Sequence, residues 1–248
     1  MTKTILITGA SRGIGRAAAI LAGERGWSVG VNYASNRPAA EEVVDRVREA
    51  GGRAIAVPGD VSVEAETVAL FDAVGEEFGP LDGLVANAGI VAPSLPVAEM
   101  SAERMRRVFE VNVLGAFLSA REGARRLSRS RGGRGGSIVT ISSVAARLGS
   151  PLEYVDYAAS KAAVDTLTIG LAKELGPEGV RVNAVRPGVT DTEIHASGGQ
   201  PDRAGRVGAL TPLGRPGAPR EVAQAIIWLL GDESSYVSGA LLDVSGGR

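Results

Sequence analysis

Two kinds of hydrophobic pattern alternate along the chain. Short apolar runs, KTILIT (3–8), WSVGVNY (27–33), RAIAVPG (53–59), LDGLVAN (81–87), GSIVTIS (136–142), VRVNAVR (180–186) and ALLDV (240–244), are rich in Val, Ile and Leu and do not alternate cleanly with polar residues. Strands covered on both faces read this way. Between the runs lie longer segments with a helical pattern, 13–25, 38–50, 63–77, 101–128, 155–175 and 219–231. The repeated strand-helix order implies a parallel sheet, and right-handed crossovers then lay helices on both of its faces. The expected fold is α/β, a doubly wound seven-stranded parallel sheet. No linker is long enough to divide the chain, so residues 1–248 are expected to form a single domain.

Two segments break the rhythm. RRLSRSRGGRGGS (125–137) carries five arginines, and it reads as the solvated exit of a helix and a flexible turn into the next strand. No aromatic platform accompanies these charges, which argues against a nucleic-acid surface. Residues 188–217 are too long and glycine-rich to be a mere connector, so a lid over a site is expected there.

Composition narrows the function classes. With 44% hydrophobic and 22% charged residues the chain is globular, and a formal net charge of −1 gives no global attraction to nucleic acid or an anionic membrane. The absence of cysteine excludes disulfides, zinc-thiolate sites and a cysteine nucleophile. The apolar stretch before the first glycines is too short for a signal peptide, and no run approaches membrane-spanning length. A soluble cytoplasmic protein is expected. The 34 glycines suit close approach of backbone to a ligand.

Candidate chemistry gathers where the apolar runs end. The first run leads into TGASRGIGRAAAI, with Gly9, Gly13 and Gly15 opening a helix, an arrangement that seats a diphosphate on bare backbone N–H groups. Asp60 and Val61 end the third run, where they can accept from an adenine amine and pack its ring; Asn87, Ala88 and Gly89 end the fourth, where backbone can approach a second ribose. Carboxyl ends of parallel strands are where open α/β sheets bind ligands. Ser142 and Ser143 end the fifth. EYVDYAASKAA (153–163) then places Tyr157 and Lys161 at i and i+4, one above the other on a helix, whereas Tyr154 has Ala158 at that spacing. A free phenol titrates near ~10, so it shuttles protons at neutral pH only with a cation beside it. Lys161 is that candidate cation; the plain alternative is a core tyrosine and a Lys161–Asp165 pair.

Taken in order, Thr8-Gly9-x-x-x-Gly13-x-Gly15, Asn87-Ala88-Gly89, Asn112, Ser143, Tyr157-x-x-x-Lys161, Pro187-Gly188 and Thr192 resemble the short-chain dehydrogenase/reductase family over essentially the whole chain, with members like 3-oxoacyl-carrier-protein reductases and glucose dehydrogenases in view. The resemblance implies a Rossmann-type domain and hydride transfer between a nicotinamide cofactor and a carbonyl or secondary alcohol. It makes Tyr157 the general acid/base and Ser143 the partner of the same substrate oxygen. Lys161 would hold the ribose and lower the phenol's pKa, and Asn112 would steady a relay water. Ser11, Arg12, Ile14, Pro187, Gly188, Thr190 and Thr192 join the cofactor site. The fourteen-residue step from Ser143 to Tyr157 is one longer than usual in the family, so AARLGSPLE (145–153) is read as carrying an insertion. Ser142 and Ser143 thus both remain candidates, Ser143 matching the family's second serine.

An NAD site normally has an acid about ~20 positions past the glycines, at the end of the second strand. Here Asn32 stands at that place and the first acid is Glu41, while Arg12 and Arg37, with Ser35 and Asn36, can converge on a 2′-phosphate. NADP(H) is therefore the expected cofactor. His195, the only histidine, falls in the lid as a candidate substrate contact, and no His/Asp/Glu cluster suggests a metal. The substrate wall is expected from 91–97, 147–155 and the lid. The family resemblance admits 3-oxoacyl thioesters, sugars, steroids and small ketones. A non-catalytic dinucleotide sensor would keep the fold without needing Ser143, Tyr157 and Lys161, and a methyltransferase would leave them without a task. Apolar residues on more than one helix face, Leu114, Phe117 and Leu118, then Val164, Leu167 and Leu171, together with the family resemblance, suggest a homotetramer.

Overall fold

The computed structural model describes residues 2–248. All seven expected strands form: β1 (Thr4–Ile7), β2 (Ser28–Tyr33), β3 (Arg53–Pro58), β4 (Gly83–Ala86), β5 (Gly136–Ile141), β6 (Val180–Pro187) and β7 (Leu241–Val244). They make one parallel sheet in the order β3-β2-β1-β4-β5-β6-β7. Side chains alternate across a strand, so Ile5 and Ile7 enter the core on one face of the sheet and Leu6 enters the core on the other. Both cores are apolar. This is why the runs lack an apolar-polar alternation. At about 1.5–3 kcal/mol for each large side chain fully buried, the two layers supply the main force for closure.

Helices α1 (Gly13–Glu24), α2 (Arg37–Glu49) and α10 (Pro219–Leu230) cover one face. On the other lie α3 (Glu64–Phe78), α4 (Ala102–Phe109), α5 (Gly115–Leu127) and α7 (Val155–Leu175). Three short helices complete the chain: α6 (Ala145–Leu148), α8 (Ile194–Ser197) and α9 (Arg203–Gly208). From β1 the sheet runs to β2 on one side and β4 on the other, and the reversal opens a crevice above their carboxyl ends.

The helix expected over 101–128 is interrupted. A five-residue π turn, Glu110–Leu114, separates α4 from α5. It widens the helix where buried Asn112 must find partners outside its own ladder: Nδ2 donates to the Ile90 carbonyl (2.9 Å) and Oδ1 accepts from the Ile90 N–H (2.8 Å). The long segment 188–217 contains α8 and α9 rather than open loop, and it is pinned at its base by a bridge between Thr190 and Gly217. Between α6 and α7, Ser150 (φ 44°) and Leu152 (φ 63°) are left-handed. Non-glycine residues seldom adopt that region, and the strain sits in the stretch that the sequence marks as one residue long.

Candidate active site

The turn from β1 to α1 is shaped for a close ligand. Gly9 (φ 61°) and Gly13 (φ 55°) need the left-handed region. Arg12 caps α1 without a side-chain hydrogen bond, so the first-turn amides keep no internal acceptor and present the positive end of the helix to the crevice. Ser11, Arg12, Gly13 and Ile14 line that crevice. This backbone cradle fits a diphosphate. Gly15 is not in the wall; a Cβ there would stand 2.6 Å from Asn87 Nδ2 and 2.7 Å from the Gly9 carbonyl oxygen, so its role is to let α1 approach β4. Asn87 Nδ2 locks the contact by donating to the carbonyls of Thr8 (2.8 Å) and Gly9 (3.0 Å).

On the outer rim the sequence and the structure part ways. Asn32 lines the crevice, but its amide is a buried brace: Oδ1 accepts from the Gly9 N–H (3.0 Å), and Nδ2 donates to the carbonyls of Gly59 (3.0 Å) and Val57 (3.3 Å). Arg37 lies outside the wall and pairs with Glu41 at 3.2 Å. Arg12, Ser35 and Asn36 are in the wall; the Asn36 side chain caps α2 by accepting from the Ala39 N–H (3.1 Å). Asp60 and Val61 line it as well. Burial alone would raise the Asp60 pKa, but hydrogen bonds from Ser62 and Arg107 hold it below the usual value. Arg107, whose guanidinium is 2.8 Å from Asp60, is a wall residue that the sequence reading missed. Only the long-range pairing brings it in.

The carboxyl end of β5 and the first turns of α7 bring the reactive groups together. Ser142 and Ser143 point to different tasks. Ser142 Oγ is buried and donates to the Lys161 carbonyl (3.0 Å). Ser143 lies beside the Tyr157 phenol and favours its ionised form, and its Oγ accepts from the Ala145 N–H at 3.1 Å. The Lys161 ammonium is 5.7 Å from the centre of the Tyr157 ring and donates to the Ile141 carbonyl at 2.7 Å. Asp165 is taken by a bidentate pair with Arg186 (2.7 Å), so the plain Lys161–Asp165 pairing does not form. A Cβ added to Gly89 would sit 3.3 Å from Lys161 Nζ and 3.4 Å from Asn112 Oδ1, which shows how closely these two approach the end of β4. Asn112 itself stays behind the wall and donates to Ser160 Oγ (3.1 Å). Burial drives Lys161 down to about 8, with Asp165 opposing, and it drives the Tyr157 phenol above its ordinary value, with Ser143 opposing. The lowering of the phenol expected from Lys161 is not seen in the protein alone, where burial dominates and only Ser143 opposes it.

The crevice encloses about 910 Å³ and runs from the glycine turn to the segment after β6. Ala88, Gly89, Pro187, Gly188, Thr190 and Thr192 all line it. Its far end is walled by Val91, Leu148, Pro151, Tyr154, Ile194 and His195. Burial lowers the His195 pKa, so the ring is neutral at pH 7 and its Nε2–H donates to the Thr190 carbonyl at 2.8 Å. The Tyr154 hydroxyl accepts from Gln200 (3.1 Å), and Arg203, paired with Glu153 at 2.7 Å, stacks 5.1 Å from its ring. Arg203 also lines the crevice, and it had no signal in the sequence beyond its place in the lid.

A family model described as enoyl-(acyl carrier protein) reductase matches residues 9–248. The chain is 52% identical over 243 residues to the uncharacterized oxidoreductase YgfF of Escherichia coli, covering 98% of each. It is 41% identical over 247 residues to an L-rhamnose 1-dehydrogenase (NAD(P)(+)) of Sphingomonas sp., covering 99% of this chain and 95% of that one. A short-chain type dehydrogenase/reductase from Mycobacterium marinum superposes with a TM-score of 0.92 at 35% identity, over 99% of this chain and 94% of the other. The protein belongs to the short-chain dehydrogenase/reductase family. It is an NAD(P)-dependent oxidoreductase acting on CH–OH or C=O groups of a small molecule. Among the described residues, no helix is long and apolar enough to cross a membrane.

Proposed function

We propose that the protein is an NADP(H)-dependent carbonyl reductase or alcohol dehydrogenase in which Tyr157 is the general acid/base. The observation that carries this reading is the placement of Tyr157, Ser143 and Lys161 together on the crevice wall, at the strand ends opposite the glycine cradle. When bound, the nicotinamide supplies or accepts the hydride. In reduction, the Tyr157 phenol gives its proton to the carbonyl oxygen and Ser143 hydrogen-bonds the same oxygen as charge develops on it. Burial keeps that phenol protonated at neutral pH and ready to donate. In oxidation the same oxygen takes the alcohol proton, with the Lys161 cation favouring the phenolate. Asn112 holds the wall at Ile90 and steadies the route by which Lys161 exchanges protons with water.

NADP(H) preference rests on the rim. No carboxylate ends β2, and Arg12 and Ser35 line the wall; Arg12 Nη1 donates to Ser197 Oγ at 3.1 Å and would turn from it to meet a 2′-phosphate. A charge-assisted hydrogen bond of about 1.5–3 kcal/mol suffices for roughly a tenfold preference. Arg37 would have to leave Glu41 to contribute. The single domain works as a cytoplasmic homotetramer on this reading.

Absorbance of the reduced nicotinamide, followed with a panel of ketones, tests the proposal. Tyr157→Phe should lower kcat by a factor on the order of 10² or more with little change in NADPH affinity, because only the proton donor is lost. Tyr154→Phe should cost no more than about threefold, since its hydroxyl is engaged by Gln200. Arg12→Ala should weaken NADPH more than NADH. Tight NADPH binding with no turnover of any carbonyl compound would favour a dinucleotide sensor, and equal use of NADH would sink the cofactor assignment.

A further inference from the structure

Arg104 touches no part of the crevice wall, yet it ties two of its sides together. It stands in the first turn of α4, where its N–H donates to the capping Ser101 hydroxyl (3.2 Å). The side chain is nearly buried and crosses to the first turn of α7. Nε donates to Asp156 Oδ2 at 2.8 Å, Nη2 donates to Asp156 Oδ1 at 3.3 Å, and Nη1 donates to the carbonyl of Pro93. The Asp156 carboxylate is only 3% exposed, and its Oδ1 also accepts from the backbone N–H of Tyr157 at 2.9 Å. Pro93 belongs to the segment after β4 that continues from the wall residues Ile90 and Val91, and two residues on, the Leu95 N–H donates to the Glu153 carbonyl at 3.1 Å. A single guanidinium therefore grips the backbone of Tyr157 through Asp156 and the segment after β4 through Pro93.

We infer that Arg104 is a positioning residue: with Asp156 it sets the gap in which a substrate carbonyl oxygen meets the Tyr157 phenol. The inference rests on the acid/base role of Tyr157 proposed above. Arginine suits this task because its planar fork can serve a carboxylate with two nitrogens and a carbonyl with the third, whereas a lysine ammonium has no such fixed spread. Misplacing a reacting group by about 1 Å can cost on the order of a hundredfold in rate. A pair that served only to fasten α4 to α7 would move stability and leave catalysis alone.

The test compares wild type, Arg104→Lys, Arg104→Ala and the charge-free double variant Arg104→Met with Asp156→Leu, using NADPH and a ketone that the wild type reduces. The expected result is a kcat lower by about ten- to a hundredfold in all three variants, NADPH affinity within about twofold, and faster amide exchange in the Tyr157 turn. Millimolar guanidinium chloride should restore part of the rate to Arg104→Ala and none to the double variant, which no longer holds a carboxylate to bind it. Should the single variants fold poorly, the double variant leaves no charge buried without a partner and carries the test. A folded variant with wild-type kcat overturns the inference whatever its melting temperature. A wild type that reduces no carbonyl at all overturns the role of Tyr157 instead, and the positioning role with it.

Discussion

On the proposed acid/base chemistry, the buried charge of Lys161 sets the working pH. The sequence reveals it through the i, i+4 step to Tyr157, because helical spacing alone puts the two on one face. Burial then lowers its pKa to about 8 while the phenol it serves is pushed up. Below about pH 8 the ammonium is charged; above it the charge is lost while Tyr157 is still protonated. For carbonyl reduction, kcat/KM reports groups of the free enzyme, so it should be level at neutral pH and fall as pH rises through about 8. Lys161→Met should lower the plateau and erase that breakpoint. A wild-type profile level to about pH 10, where ordinary lysines titrate, would refute the assignment. Asn32 and Arg37 were less legible than Lys161. Which way a strand-end or loop side chain turns depends on partners far off in the chain, here Gly59 and Val57, or on a neighbour such as Glu41 that competes for it.

At the level of elements, apolar pattern located every strand, because burial on both faces leaves its mark in the residues of the strand itself. It missed the π turn at Glu110–Leu114, which answers to the Ile90 backbone and not to any local preference. The arginine run after 120 was legible only in part. Arg125 and Arg126 were read as solvated, yet each donates to Glu122 at 2.8 Å, and Arg121 joins them at 3.2 Å. Arg126 also reaches Asp72 (2.5 Å) and lies 5.2 Å from the centre of the Phe71 ring. Glu122 is almost wholly buried and gathers three arginines of its own helix, two of which reach α3, Arg126 at Asp72 and Arg121 at Glu64. Removing one partner of a buried ionic cluster leaves the others uncompensated, at a cost of about 3 kcal/mol, toward the lower end because the arginines are partly wet. Glu122→Ala should therefore lower the melting temperature by roughly 5–10 °C, with Glu122→Gln between it and wild type. Activity at 25 °C should be unchanged, since none of these residues lines the crevice. A melt within about 1 °C of wild type would mean that the cluster contributes nothing.

Several large apolar side chains stay exposed on the surface of the whole molecule. Leu118 and Val164, expected to face a neighbour, are buried within the subunit, and Leu167 and Leu171 are half-buried, but Leu114 (47%) and Phe117 (46%) at the start of α5 remain open to solvent. Ile169 on α7 is also exposed. The sequence indicated which helices had apolar residues to spare without indicating which face of each stays bare, because that is decided by the angle at which the helix meets the sheet. On the face of the sheet that α10 covers, Trp228 is partly exposed, and Tyr236, beyond the end of that helix, is fully exposed. One self-complementary patch makes a dimer and no more; a closed tetramer of two-fold symmetry needs two different patches, and exposed apolar residues stand on α5 and α7 on one side of the sheet and on α10 on the other. Light scattering at micromolar concentration should therefore report a tetramer. Phe117→Glu should reduce it to dimers held through the α10 side, and adding Trp228→Glu should give monomers that keep the fold by circular dichroism. If the wild type runs as a monomer, or if Phe117→Glu leaves the mass unchanged, the pairing through α5 and α7 is wrong.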